Sequence, residues 1–325
     1  MVSGKTSKSK AITMGEPHSR SLMLHNVIKI LGIVVVAGAI TLIIVAVLAI
    51  HRDETIGEEE TTQTITTSDS DTVESSETGT KLPEKIDFKP LVDEWVSNTG
   101  GNRSVLIYDL ERDEMVASYN IGEDYNTASL YKLFVVYEGY RRAQNGEWDR
   151  ADKAGSTGYT IAKCLDLAIR ESNSVCAETL WGMIGHDTLD NIVEKDFGIT
   201  NSDVSHLVSN PEDVMKMMRI FYEHSDITDK TLLAQMRDSF LNQPTTEYNW
   251  RQGLPSGFTH AMVYNKVGWD WNGSSWNIYH DAAIVEFPEF NRHFIVVVMT
   301  SQVPYQRITE LGRKIEAEVD AAENR

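Results

Sequence analysis

The chain has 325 residues, 48 of them Asp or Glu against 30 Lys and Arg, so its formal charge is −18, and 41% of it is apolar. That length exceeds one compact unit of average size but suffices for a sizeable core with appendages. The acidic balance argues against a nucleic-acid partner, which needs a basic face to displace phosphate counterions. Nine scattered His and only two Cys, Cys164 and Cys176, argue against a zinc cage or a disulfide-stapled miniprotein.

Residues 30–50 read ILGIVVVAGAITLIIVAVLAI, 21 residues without a charge. At 1.5 Å per residue they make about 31 Å of helix, enough to cross a bilayer core. A cleaved secretory signal is the alternative, but its apolar stretch is shorter and ends in a small-x-small site that this one lacks. Lys5, Lys8, Lys10, Arg20 and Lys29 precede the span against a single acid, Glu16. The basic tail, residues 1–29, is therefore expected in the cytoplasm and everything after His51 outside it. Residues 51–83 carry nine acids, two bases and dense Ser and Thr, which predicts a disordered, extended tether. The first 50 residues carry +4 and the tether −7, which leaves −15 for residues 84–325, where a core and the function must lie.

Within that part the apolar pattern predicts strands over 103–110 (RSVLIYDL) and 115–120, joined by a tight hairpin at Glu111-Arg112-Asp113. Helices follow over 130–143, 161–170, 175–184 and 211–224, the last opening with Asn210-Pro211. Strands are expected over 261–271, 276–287 and 293–301, and a closing helix over 306–322. The order predicts an α+β fold: an antiparallel five-stranded sheet whose first and last strands meet, flanked by helices, with an all-helical subdomain inserted between them. No internal repeat is visible.

The first chemical signal is NTASLYKLF, which places Ser129 near a helix start and Lys132 three residues on, on the same face. A serine nucleophile needs a base within reach, and the free N–H groups of a helix start favour the negative charge that develops on a carbonyl under attack. The spelling alone is weak, because Ser7-Lys8-Ser9-Lys10 repeats it in the basic tail, where no fold can use it. Taken singly, Ser129 is a helix cap beside a surface lysine.

Two further pieces change this reading: Ser172-Asn173-Ser174 between two amphipathic helices, and Lys266-Val267-Gly268 on the first late strand. In order they give S-x-x-K, S-x-[N/S] and K-x-G, and over roughly residues 87–320 the domain resembles the class A β-lactamases, relatives of the penicillin-binding proteins. Asn210-Pro211-Glu212-Asp213, Arg251-Gln252-Gly253-Leu254-Pro255 and His280-Asp281-Ala282-Ala283-Ile284-Val285 are similar to further stretches of that family. The resemblance implies a two-step acyl transfer without cofactor or metal: Ser129 attacks a lactam or peptide carbonyl, Lys132 takes its proton, and Ser172 passes a proton to the leaving nitrogen. It implies substrate contacts from Ser174, Lys266, Gly268 and Trp269, with the N–H groups of Ser129 and Trp269 as an oxyanion hole.

Departures from the family pattern qualify that chemistry. Ser174 stands where the family usually has Asn, its shorter hydroxyl being doubtful in reach, and Val267 lacks a hydroxyl for a substrate carboxylate. No E-x-x-L-N element lies between Ser174 and Asn210; Glu178, Glu194, Asp196 and Asp203 fall in helical or linker context, and residues 198–209 are too few for the usual omega loop. Acylation is thus better supported than rapid deacylation. Trp269, Trp271 and Trp276 read first as core, with stacking on a substrate group as the alternative. His280 reads as a strand residue facing solvent. Cys164 and Cys176 flank Ser172, and spacing leaves a disulfide and a free buried pair equally open. Three functions fit: a membrane-anchored β-lactamase opening β-lactams, a penicillin-binding protein acting on peptidoglycan peptides, or a domain acylated once that only senses or binds. The expected partners are a small-molecule β-lactam or a peptidoglycan peptide, with the chain a monomer held to the cell membrane through residues 30–50.

Overall fold

The computed structural model describes residues 82–244, 249–271 and 276–324. The basic tail, the apolar span at 30–50 and nearly all of the tether lie outside them. No helix among the described residues is long and apolar enough to cross a membrane.

A nine-residue helix, α1 (Lys89–Ser97), with Pro90 in its first turn, leads into β1 (Asn102–Asp109) and β2 (Glu114–Tyr119). The expected hairpin forms: the Asp109 carboxylate accepts the N–H groups of Glu111 and Arg112 at 3.1 and 3.0 Å, and Asp113 turns with φ 53°. A two-residue strand, β3 (Tyr125–Asn126), precedes a 3-10 turn over Ala128–Tyr131 and α2 (Lys132–Gln144). Next come α3 (Ile161–Arg170), α4 (Ser174–Ile184), α5 (His186–Lys195) and the short β4 (Val208–Ser209), which pairs with β3. The helices α6 (Pro211–Glu223) and α7 (Lys230–Leu241) complete the subdomain. A second 3-10 turn (Leu254–Gly257) leads to β5 (Met262–Trp271), β6 (Trp276–Phe287), β7 (Arg292–Ser301) and the closing α8 (Tyr305–Glu323).

Helix starts follow local chemistry. The side chains of Thr160, Asn173, Asn210 and Asp229 each accept a backbone N–H of the first turn of α3, α4, α6 and α7. The sequence reading misses α1, α5 and α7. α1 is short and uncapped by a side chain, and α5 follows α4 with only Gly185 between them.

The sheet order is β2-β1-β7-β6-β5, antiparallel throughout, so the first and last strands meet as expected, with Val105 opposite Val298 and Ile107 opposite Val296. Alternate residues of β7 feed two cores: Ile295, Val297 and Met299 face the helical subdomain, while Phe294, Val296 and Val298 face a layer holding α1 and α8. A sheet covered on both faces has no polar side to spare, which explains the run FIVVVM. The strand β5 is an edge, and the 3-10 turn carrying Ser129 packs against it.

Candidate active site

Three chain segments converge on one cluster. Lys132, the first residue of α2, is fully buried, and its ammonium lies 2.9 Å from Ser129 Oγ, 3.0 Å from Ser174 Oγ and 3.3 Å from Ser172 Oγ, donating also to the Ser172 carbonyl at 2.5 Å. Lys266, on β5 and 1% exposed, donates to Ser172 Oγ at 2.9 Å and to the Val267 carbonyl at 2.7 Å. Ser172 therefore sits between two amines that are 134 residues apart in sequence. It does so with φ 53°, a left-handed backbone that costs about 1–3 kcal/mol outside glycine and is held here by those bonds. Ser174 does reach Lys132, so the shorter hydroxyl suffices for that contact.

Burial sets the electrostatics. Desolvation pulls Lys132 down to about 8, against the Glu178 carboxylate, which pushes it back up. Lys266 is held well below the ordinary lysine range, first by burial and then by the like charge of Lys132, with Asp281 opposing. Among the described residues no carboxylate hydrogen-bonds to Ser129, Lys132, Ser172 or Lys266. The result is a hydroxyl beside an amine that spends part of its time neutral near physiological pH, which is the condition for proton abstraction.

The turn bearing Ser129 is fixed by residues that the sequence does not advertise. Ala128, just before Ser129, adopts φ 45°, and its N–H donates to Asn126 Oδ1 at 2.8 Å. Thr127 N–H donates to the Leu207 carbonyl at 2.8 Å. The expectation that His280 faces solvent is wrong: its ring is fully buried, Nδ1 accepts the Thr300 N–H at 2.9 Å, and Nε2 bonds the Asn126 carbonyl at 2.8 Å. Since a carbonyl can only accept, the proton sits on Nε2. Burial lowers this imidazole to about 4, keeping it neutral. His280 thus clamps the residue three positions before Ser129 to the middle of the sheet.

Gly268 has a steric role at this junction: a Cβ there would stand 2.5 Å from the Thr127 carbonyl oxygen and 2.9 Å from Leu130, so only glycine lets β5 approach the turn that carries Ser129. Trp269 is partly exposed and packs among Trp250, Tyr279 and Tyr305, at centroid distances of 5.5, 5.1 and 5.8 Å. Trp271 is 49% exposed, which overturns its reading as core, and the side chain of Trp276 lies outside the described residues. Beneath Lys266, the buried Asp281 accepts Leu254 N–H at 2.7 Å and Asn265 Nδ2 at 2.9 Å, and Gly253 leaves the space that its carboxylate fills. Burial raises Asp281 to about 7 against those hydrogen bonds and the charges of Arg251 and Lys266. Cys164 and Cys176 form a disulfide joining α3 to α4 across the loop that carries Ser172.

Comparison with known proteins places this geometry in context. The model of a family described as the beta-lactamase enzyme family matches residues 87–319. No curated protein matches the chain. Among solved structures, the chain is similar to a beta-lactamase from Xanthomonas campestris pv. campestris, 13% identical with a TM-score of 0.61 over 71% of this chain and 97% of that one. It is similar also to a beta-lactamase from Chitinophaga pinensis (14%, TM-score 0.60, 72% and 98%) and to a class A beta-lactamase representative from Bacteroides cellulosilyticus (17%, TM-score 0.59, 72% and 96%). At such identities the structural likeness is one of fold.

Proposed function

The chain belongs to the beta-lactamase enzyme family, and from that premise we propose that it is a serine hydrolase that opens β-lactams or related amides through an ester on Ser129. The observation that carries this reading is the hydrogen-bonded path from Ser129 through Lys132 and Ser172 to Lys266. In the first half-reaction Ser129 Oγ attacks the carbonyl carbon as its proton passes to neutral Lys132, and the C–N bond breaks with a proton reaching the leaving nitrogen through Ser172. In the second, water attacks the ester and Ser129 recovers its proton. Lys266 supplies positive potential for a substrate carboxylate.

One observation favours a slower second half. Among the described residues no carboxylate joins the hydrogen-bonded cluster, so no acidic side chain there stands ready to activate the water of the second half. That suits an acyl-enzyme that persists, as in a peptidase or sensor facing peptidoglycan. Intact-protein mass after a short penicillin pulse separates the cases. A transient adduct with released product supports the hydrolase and a lasting one the peptidoglycan-directed reading, while Ser129→Ala should show no adduct at all. An adduct that survives in that variant refutes the nucleophile.

We also propose that residues 30–50 anchor the protein in the cell membrane with the catalytic domain outside, on the strength of 21 uncharged residues behind a basic flank. The full chain should stay in the membrane fraction after alkaline carbonate washing, and its recovery in the supernatant would exclude an integral anchor.

A further inference from the structure

Beside the nucleophile turn lies a cavity of about 290 Å³ lined by Tyr131, Glu178, Trp181, His186 and Leu207. Its rings form a ladder: Tyr131 lies 5.1 Å from Trp181, and Trp181 stacks on His186 at 4.2 Å. The same Tyr131 ring is 5.7 Å from the Lys132 ammonium, so the cavity adjoins the cluster already described. Glu178 stands one helical turn beyond Ser174 on α4, is exposed, and has no hydrogen bond or ion pair among the described residues. Trp181 is 6% exposed, and its buried indole N–H has no acceptor among the described residues. No Lys or Arg lines the cavity.

These groups specify a ligand. Aromatic faces and an exposed carboxylate attract an organic ammonium, and an apolar wall at Leu207 suits a methylene stem. The charge of −15 on residues 84–325 favours the approach of a cation. We propose that this cavity is a subsite for an amine-bearing side chain of the acyl donor, with its ammonium held between Glu178 and the Trp181–His186 rings. The inference rests on the reading that Ser129 is acylated, and it narrows the substrate to β-lactams or peptides carrying a free side-chain amine.

The test uses the full-length chain and two penicillanates that differ in one group, an ε-aminocaproyl side chain and its N-acetylated twin. Acylation followed by intact-protein mass should be roughly tenfold faster with the free amine, the difference lying in the half-saturating concentration. In Glu178→Gln the ratio should fall to about one, and in Glu178→Lys it should invert; equal rates in the native chain overturn the proposal. If neither compound acylates Ser129, the functional reading fails instead, and binding decides the subsite. The nitrogen-15 indole signal of Trp181, identified by Trp181→Phe, should shift with n-pentylamine and not with 1-pentanol, and Glu178→Gln should abolish the shift. No shift, or the same shift with both, overturns the proposal on its own.

Discussion

In the proposed reaction Lys132 is a side chain made into a base by its surroundings, without any unusual covalent chemistry. It is buried, among the described residues it hydrogen-bonds only hydroxyls and a carbonyl, and desolvation brings it to about 8 against the opposing Glu178 carboxylate. Because the neutral amine is the reactive form, the acylation rate should rise with pH to about 8 and level off above it. Lys132→Ala should slow acylation roughly a thousandfold, and a flat pH profile in the native protein would remove Lys132 from the role. This residue was legible in the sequence only in company. Ser7-Lys8-Ser9-Lys10 has the same spelling, and what separates the two is the arrival of Ser172 and Lys266 from elsewhere in the chain. His280 and Ala128 left no mark that a sequence could carry, since a buried histidine on a strand and an alanine with positive φ look ordinary until the tertiary contacts are known.

At the scale of the element, β6 holds two adjacent buried titratable residues with opposite tendencies. His280 is depressed from 6.5 to about 4, so its contribution to stability is present above pH 6.5 and lost as pH falls through 4. Asp281 is raised from 3.8 to about 7, so its contribution is present at pH 3.8 and below and lost as pH rises through 7. Between about pH 4 and 6.5 the two slopes oppose one another. In His280→Asn the Asp281 slope should stand alone, so that stability, measured by urea unfolding at a series of pH values, falls steadily from pH 4.5 to 7 and exceeds the native slope. The substitution should also cost about 1–3 kcal/mol near neutrality, because Thr300 N–H and the Asn126 carbonyl lose their partner in the core. A native protein already showing that slope would mean that His280 does not titrate as burial requires. The strand itself was legible from its Ile and Val content, and the sheet order from the sequence of elements. The register was not, and the register is what puts His280 opposite Gly268 beneath the nucleophile turn.

For the folded unit as a whole, the first and last described stretches of the domain meet at one buried ion pair. Arg292, 1% exposed at the start of β7, donates to Asp109 at 2.8 Å at the end of β1, to the Glu84 carbonyl at 3.0 Å where the tether meets the domain, and to Glu323 at 2.6 Å in the last turn of α8. Asp109 also holds the β1–β2 hairpin through two backbone N–H groups, so this cluster joins the start, the first turn and the end of the domain. Removing one partner of a buried pair leaves an uncompensated charge, and Arg292→Met should therefore cost about 3–5 kcal/mol. The double variant Arg292→Met/Asp109→Asn should recover a large part of that loss, because the neutral amide still accepts the hairpin N–H groups while no bare carboxylate remains buried. The cluster lies at the opposite end of β1 and β7 from the Asn102–Ser301 pair, and none of its residues touches Ser129, Lys132, Ser172 or Lys266. The acylation rate per folded molecule should thus stay unchanged while the urea midpoint falls. If single and double variants are equally unstable, the loss reflects packing of the arginine stem, and the ion pair does not hold the two ends of the domain together.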